Sequence, residues 1–292
     1  TENGVEVTTL SALAKITVNG YVEKSIGAVD EDFDGYVYPI IYDKELTYQT
    51  LGNDGEIPFT YNDQNNIIFN GKASVKNGQF SFTFVVPKDI RYNLGSGKIQ
   101  YYAIDADSTK EVIGYYDAFE IGGSSSVENE DDEAPDVLMY MNNKEFKDGD
   151  FVSDSPTFYA EISDGSGINT IGTGIGHDML IYLDDAALPI ILNDFFEYNL
   201  DDYSSGIVSY KFRGLSEGLH TLTFRVWDLN NNSYTNTLSF RVQSNNASQN
   251  GPQITYYPNP TEGWLHISLN NDDNEEVEYH IRVYNLSGQM VY

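Results

Sequence analysis

The sequence predicts an all-β protein, with tandem immunoglobulin-like β-sandwiches followed by part of a further β-sandwich. Helical periodicity is almost absent, apolar residues alternate with polar ones in many short runs, and clusters of Gly and Asn separate these runs. The chain has 292 residues, of which 40% are hydrophobic, so it is long enough to build two cores and part of a third.

The first sandwich is predicted over residues 1–123. Its clearest hairpin surrounds Asn77-Gly78, because both residues accept the positive φ of a two-residue turn. Phe80, Phe82 and Phe84 follow on one face of the second strand. Further strands are predicted in the alternating runs ITVNGYVE, GYVYPIIYD, LTYQTLGN, KIQYYAID and YYDAFEIGG.

Residues 124–134, SSSVENEDDEA, combine small and acidic residues and are predicted to form a solvated linker. A second, immunoglobulin-like sandwich is expected over residues 135–244. Its final hairpin is predicted from two apolar faces on either side of an Asn-rich turn. These faces consist of His220, Leu222, Phe224 and Val226 on one strand, and Leu238, Phe240 and Val242 on the other.

Residues 245–253 read as another linker, and residues 254–292 as the N-terminal part of a third domain. The stretch YYPNPTEGWLHISL, residues 256–269, contains Pro258 and Pro260, which each fix φ and remove a backbone donor. Alternation then resumes from Trp264 to Leu269, which predicts one half-buried strand.

Composition excludes several classes of function. Lys and Arg number 16 against 45 Asp and Glu, so the net charge of −29 disfavours nucleic acids and anionic lipid surfaces as partners. There is no cysteine, hence no disulfide, thiolate zinc site or cysteine nucleophile in this chain. No apolar run reaches the roughly 18 residues of a membrane helix, and the first residues lack the pattern of a signal peptide. We therefore interpret the chain as a mature secreted protein or a fragment.

One stretch has the spacing of a calcium loop. Asp30, Asp32 and Asp34 precede Gly35, as in loops whose carboxylates converge on Ca²⁺. The twelfth position, however, is Ile41 instead of the bidentate Glu, and the flanking residues resemble strands. We expect an acidic turn without a metal ion, and calcium is the one cofactor that this pattern suggests.

A glycine-rich run, Gly172, Gly174 and Gly176, superficially resembles a phosphate-binding loop. Such a loop requires a helix directly after it, whereas MLIYLDD, which follows, reads as a strand. We expect instead a loop over the end of the sandwich, held by His177 and Asp178.

No catalytic residue is predicted. The histidines are His177, His220, His266 and His280, and no G-x-S-x-G motif marks a serine nucleophile. His220 falls on the inward face of its strand, where we expect a hydrogen-bonded imidazole of the core or its rim.

The C-terminal motifs carry a resemblance to a known family. YPNPTEGWLHISL and HIRVYNLSGQMVY resemble the sorting domain of proteins exported by the Bacteroidota type IX secretion system. Upstream, GKASVKNGQFSFTFVVPKDI, GKIQYYAIDA, GINTIGTGIGHDMLIYLDD and SEGLHTLTFRVWDLNNNS look like the region after the peptidase domain in the PorU family, the gingipain-type cysteine peptidases that act as sortases of that system.

The resemblance implies a parent that cleaves sorting domains from cargo at the cell surface and attaches the cargo to lipopolysaccharide. Its catalytic Cys and His would precede residue 1, and this chain would serve as a spacer and docking module secreted across the outer membrane. The implied partner is the outer-membrane β-barrel protein PorV, with Tyr257, Pro258, Asn259 and Pro260 as the expected docking residues. Because a complete sorting domain has more strands, the resemblance covers only its N-terminal part.

Two other interpretations stay open. Tyr-rich strands can stack on sugar rings, so the chain could be a secreted adhesin or glycan-binding protein with the same sorting signal. It could also belong to a gingipain-like surface peptidase that is cargo and not the sortase.

Overall fold

A computed structural model describes residues 1–124, 131–171, 176–184, 186–243, 253–257 and 266–270. The chain forms two compact units, Thr1–Gln243 and Ser244–Tyr292. Apart from one 3₁₀ turn at Asn193–Phe195, the regular elements in the described residues are β-strands, which confirms the all-β prediction. No helix in these ranges is long and apolar enough to cross a bilayer.

Fourteen strands form in residues 1–124, ahead of the acidic run of the predicted linker at residues 124–134, which is called the acidic segment below. They are β1 (Thr9–Ala12), β2 (Lys15–Tyr21), β3 (Glu23–Ser25), β4 (Ala28–Val29), β5 (Gly35–Tyr42), β6 (Leu46–Gln49), β7 (Thr60–Asp63), β8 (Ile67–Asn70), β9 (Ala73–Lys76), β10 (Gln79–Val85), β11 (Gly95–Ser96), β12 (Lys98–Asp105), β13 (Glu111–Tyr116) and β14 (Glu120–Ser124). The main sheet runs β13-β12-β5-β9-β10-β2, with β8 also paired to β5, and a smaller sheet runs β1-β14-β11.

The predicted Asn77-Gly78 turn joins β9 to β10, and both residues have positive φ, 49° and 71°. Phe82 and Phe84 are buried in the first core, and Phe80 packs against it, as the alternation predicted. Gly20 lies opposite Phe80 in the register of β2 and β10, where a Cβ would come within 2.3 Å of the Phe80 ring. The glycine therefore leaves space for that ring.

Nine strands lie in the described residues between the acidic segment and Gln243. They are β15 (Asp136–Met141), β16 (Phe151–Val152), β17 (Thr157–Ser163), β18 (Leu180–Leu183), β19 (Ile190–Ile191), β20 (Phe196–Tyr198), β21 (Ser205–Lys211), β22 (Gly218–Trp227) and β23 (Ser233–Val242). They form two sheets, β15-β17-β21-β20 and β16-β23-β22-β18-β19.

The last hairpin of this part confirms the sequence prediction. Strands β22 and β23 pair in an unbroken antiparallel register from Gly218↔Val242 to Trp227↔Ser233. Both predicted faces are buried in the second core. The ring of Phe224 packs at a tilt against that of Phe158 in the opposite sheet, with the ring centroids 5.6 Å apart.

The described strands before and after the acidic segment belong to different sheets. The division at residues 123 and 135 nevertheless stays a prediction, because both parts pack into the single compact unit Thr1–Gln243. In the second unit, β24 (Gln253–Tyr257) pairs antiparallel with β25 (His266–Asn270), with Tyr257 opposite His266.

Candidate functional site

Two of the three aspartates with calcium-loop spacing, Asp30 and Asp34, have separate partners. Asp30 Oδ2 lies 3.4 Å from Lys110 Nζ, and Asp34 Oδ1 accepts a 2.7 Å hydrogen bond from the backbone N–H of Asn77. Asp32 is exposed. The structure thus uses Asp34 to hold the Asn77-Gly78 turn, and the three carboxylates are not among the clusters of potential metal ligands in the described residues.

The predicted docking residues lie at the start of the second unit. Tyr257 is the last residue of β24, and Pro258, Asn259 and Pro260 fall outside the described residues. His280 also falls outside them, and His266 begins β25.

His220 is a core imidazole with a partner at each ring nitrogen. Its Nδ1 lies 2.6 Å from Asp184 Oδ2 and its Nε2 lies 2.7 Å from the carbonyl oxygen of Ser216, while the ring stacks on Phe240. Burial lowers the pKa of His220, but the hydrogen bonds to Ser216 and Asp184 outweigh it and raise the pKa overall. Because both partners are acceptors, this geometry fits the imidazolium, which donates from both nitrogens.

The glycine-rich loop leads into a strand, as predicted. Gly172 and Gly174 lie outside the described residues, Gly176 has a φ of 86°, and β18 follows. His177 contacts the first sandwich: its Nδ1 lies 2.5 Å from Asp89 Oδ2, and its ring packs on Trp227. Asp89 also accepts from Asn231 Nδ2 at 3.1 Å. His177, Asp89 and Asn231 therefore form part of a junction that sequence reasoning did not predict.

Backbone groups form a second part of the junction. Asp201 N donates to the carbonyl oxygen of Lys72 at 3.0 Å, and Asp201 Oδ1 accepts from Ser74 N at 2.6 Å. Lys88 Nζ donates to the carbonyl oxygen of Asn230 at 3.3 Å. These bonds join residues more than 120 positions apart and fix one sandwich against the other.

Apolar contacts complete the junction. Ile171, from the second sandwich, is buried in the first core. Tyr198 packs against both cores, with its ring 5.1 Å from that of Phe69. Its hydroxyl donates to the carbonyl oxygen of Ile168 at 3.1 Å, and burial raises the pKa of Tyr198, so the phenol stays neutral. Lys15 adds a cation–π contact to Tyr203 at 4.7 Å.

An acidic cluster includes one residue of the acidic segment, Asp131. Asp131, Asp164 and Asp228 place carboxylate oxygens within 4.8 Å of one another. Asp228 is fully buried, and its pKa is raised overall, chiefly by burial. Hydrogen bonds from Asn232 lower the pKa of Asp228, whereas the charges of Asp164 and Asp131 raise it. Carboxylate oxygens are the ligands that Ca²⁺ and Mg²⁺ take, so these three residues could hold such a cation.

Sequence reasoning missed this cluster, although a local signal was present. The segment Asp228-Leu-Asn-Asn-Asn232 has alternating oxygen-bearing side chains, similar in spacing to the start of a calcium loop. In the structure, Asp228 Oδ1 accepts from the backbone N–H groups of Asn230 and Asn232, which makes the tight turn between β22 and β23.

Comparison with known proteins gives one family match, over residues 255–292, to the family model described as the secretion system C-terminal sorting domain. Residues 255–292 are a sorting domain sequence. The upstream part lies outside that match, and no protein with a curated description matches the chain.

Several solved structures are similar to the chain. The crystal structure of dimeric latent PorU from Porphyromonas gingivalis shares 29% identity, with a TM-score of 0.48, over 97% of this chain and 27% of PorU. The chain thus spans about a quarter of the length of that protein. Fibronectin(III)-like modules of Clostridium thermocellum CbhA match at 10% identity and a TM-score of 0.24, over 84% of this chain and 94% of theirs.

Proposed function

We propose that the chain is the non-catalytic C-terminal region of a type IX secretion sortase, in which it acts as spacer and docking module. The sorting domain sequence at residues 255–292 is the observation that carries this proposal. The upstream motifs that resemble the PorU family support it, and so does the absence of cysteine from the chain, which puts the nucleophile of a cysteine peptidase elsewhere in its parent.

The junction suits a spacer. A linker that left two sandwiches free would let them reorient, whereas the Asp201, His177 and Tyr198 contacts hold unit Thr1–Gln243 together. A rigid spacer keeps the distance between its two attachment points constant, and this lowers the entropy lost when both ends are engaged.

The docking role is assigned to the sorting segment. In this proposal the parent is secreted across the outer membrane and stays at the cell surface through the β-barrel protein PorV. Tyr257, Pro258, Asn259 and Pro260 are the first contact candidates, because two prolines order the segment before it binds.

Deletion tests the docking role. Removing residues 254–292 from the full-length parent should abolish surface attachment and co-purification with the barrel protein, while unit Thr1–Gln243 stays folded by near-UV circular dichroism. A matched control replaces the same residues with a scrambled sequence of equal length. Retained attachment and barrel association after deletion would contradict the proposal.

One observation favours the alternative of a glycan-binding protein. Tyr38 and Tyr102 lie opposite each other in β5 and β12 with ring centroids 6.0 Å apart, and Tyr36 and Tyr102 are among the exposed side chains of the sheet. Aromatic faces of this kind stack on sugar rings. Binding of the chain to neutral glycans on an array, lost in Tyr38→Ala and Tyr102→Ala, would favour this alternative over the sortase proposal.

A further inference from the structure

Strand β13 is an open edge of the main sheet. It pairs with β12 on one side only, in an unbroken register from Ile99↔Tyr116 to Ile104↔Glu111. Edge strands are usually protected by charged side chains, Pro, a bulge or short length. The six-residue sequence EVIGYY has one charged residue, Glu111 at its start, and contains no Lys or Pro; its pairing with β12 shows no bulge. Ile113 and Tyr115 are 82% and 72% exposed on the outer face. Such an edge is a template for pairing with another strand.

The other edges in the described residues differ from β13. In the second sandwich three of the four terminal strands, β16, β19 and β20, have only two or three residues. The fourth, β15, also has six residues, but two of them are exposed, whereas five of the six residues of β13 are exposed. In the first sandwich, residues at the start of the chain cover part of the free edge of β2, where Glu2 bridges to Ile16 and Thr17 N donates to the carbonyl oxygen of Thr1. Exposure therefore sets β13 apart from these edges.

A cavity adjoins the inner face of β13. It has a volume of about 860 Å³, lies between β13 and β2, and is lined by apolar side chains that include Phe80, Tyr101 and Val112. Burial raises the pKa of Tyr101 to about 12, as expected for a phenol in apolar surroundings. Gly114 also lines the cavity, and a Cβ built there would meet only Tyr101 Cδ2, at 4.0 Å. There is thus room for side chains beside this strand.

We propose that β13 binds an extended peptide of a partner protein as an added strand of the main sheet. Backbone hydrogen bonds along β13 hold the peptide. Because side chains of a strand alternate between faces, one set enters the cavity beside Gly114 and Val112, and the other lies against Ile113 and Tyr115.

Charge identifies the kind of peptide. The charged side chains that line the cavity are those of Glu6 and Glu23, and Glu111 begins β13. The chain carries a net charge of −29, so a second copy presenting its own β13 is repelled, whereas a basic segment is attracted. The partner segment therefore alternates apolar residues with Lys or Arg.

A synthetic peptide tests the proposal on the whole chain. The probe is a fluorescein-labelled heptapeptide in which valine or leucine alternates with lysine, and fluorescence anisotropy measures its binding. Ile113→Lys places a charge on the edge, and Gly114→Val fills the adjoining cavity at a residue whose φ lies outside the left-handed range. Leu188→Lys is the matched control, because Leu188 is equally exposed, at 83%, in the second sandwich.

We expect both β13 variants to weaken binding at least tenfold and Leu188→Lys to leave it unchanged. Two N-methylated peptides add a test that is independent of charge. Methylation along one edge of the peptide should abolish binding, and methylation along the other edge should not, since only one edge pairs with β13.

Other outcomes overturn the proposal. No binding to the wild-type chain, or equal weakening by Ile113→Lys and Leu188→Lys, excludes β13 as the site. If neither methylation pattern weakens binding, the peptide is held by general charge attraction and not by backbone pairing with β13. If light scattering shows a wild-type dimer and a monomeric Ile113→Lys variant, the edge of β13 binds a second copy of the chain instead. If a fatty acid displaces the peptide, the cavity binds a small apolar ligand instead.

Discussion

Asp201 binds two backbone groups on the neighbouring sandwich, donating from its N–H to the carbonyl oxygen of Lys72 and accepting from the N–H of Ser74 through its carboxylate. It does so with a φ of 58°, a left-handed conformation that Asp and Asn adopt more readily than most residues. Ser74 lies in β9, in the main sheet of the first sandwich. One residue in the loop between β20 and β21 therefore makes two of the hydrogen bonds that join the second sandwich to the first.

Asp201→Ala should destabilise the unit Thr1–Gln243 by about 1–2 kcal/mol, because the charged acceptor of Ser74 is lost and alanine tolerates the left-handed conformation poorly. Urea unfolding of the chain measures the change. Asp201→Asn keeps an acceptor and the backbone preference, so its loss should be less than half as large. Equal losses in the two variants would mean that the Ser74 bond contributes little.

The second core is held by large aromatic side chains on its facing sheets. Phe224 is fully buried against Phe158, so Phe224→Ala should destabilise the chain by roughly 3–5 kcal/mol through lost burial and a cavity. Leu188→Ala, at an exposed position, is the control and should change stability by less than about 0.5 kcal/mol. A change below about 1 kcal/mol at Phe224 would show that the two sheets collapse into the space.

The strands could be predicted because their signals are local. The turn at Asn77-Gly78 and the alternation from His220 to Val226 each lie within a few residues, and burial follows directly from the period of two. The same holds for β18, where the absence of a helix after the glycines excluded a phosphate loop.

The junction could not be predicted, because its partners are distant in the sequence. Ser74 and Asp201 are separated by 127 positions and Asp89 and Asn231 by 142, and nothing local in either member of a pair identifies the other. The cluster around the buried Asp228 could not be predicted for the same reason, since Asp131 and Asp164 lie far from Asp228 in the sequence. The solvated linker over residues 124–134 stays a prediction.

We expect that Asp30, Asp32 and Asp34 hold no calcium ion, so any effect of Ca²⁺ on the stability of the chain should not depend on Asp32. The carboxylates of Asp30 and Asp34 already have separate partners, so the melting temperature in millimolar Ca²⁺ should respond equally in the wild type and Asp32→Ala. A true calcium site would raise the free energy of unfolding by about 2.7 kcal/mol when the free Ca²⁺ concentration is a hundred times the dissociation constant. A response lost in Asp32→Ala would contradict the prediction, and one lost only in Asp164→Asn would belong to the cluster with Asp228.

His220 should make the stability of the chain depend on pH. Burial opposes its charge, but the acceptors Ser216 and Asp184 raise its pKa above the ordinary histidine value of 6.5. A histidine whose pKa is higher in the folded state binds its proton more tightly there, so its contribution is complete below pH 6.5 and is lost as the pH rises through the folded-state value. The stability difference between the wild type and His220→Gln should therefore shrink from pH 6 to pH 9, as measured by urea unfolding across that range.

Asp184→Asn provides the matched control for the charge. It keeps an acceptor at Nδ1 but removes the negative charge, so the wild-type decline with pH should become shallower without disappearing, since the Ser216 carbonyl still binds Nε2. An NMR titration of the His220 ring gives the same pKa directly. If the ring titrates below 6.5, or if the difference between wild type and His220→Gln grows with pH, burial dominates over the two acceptors and the imidazole is neutral in the fold.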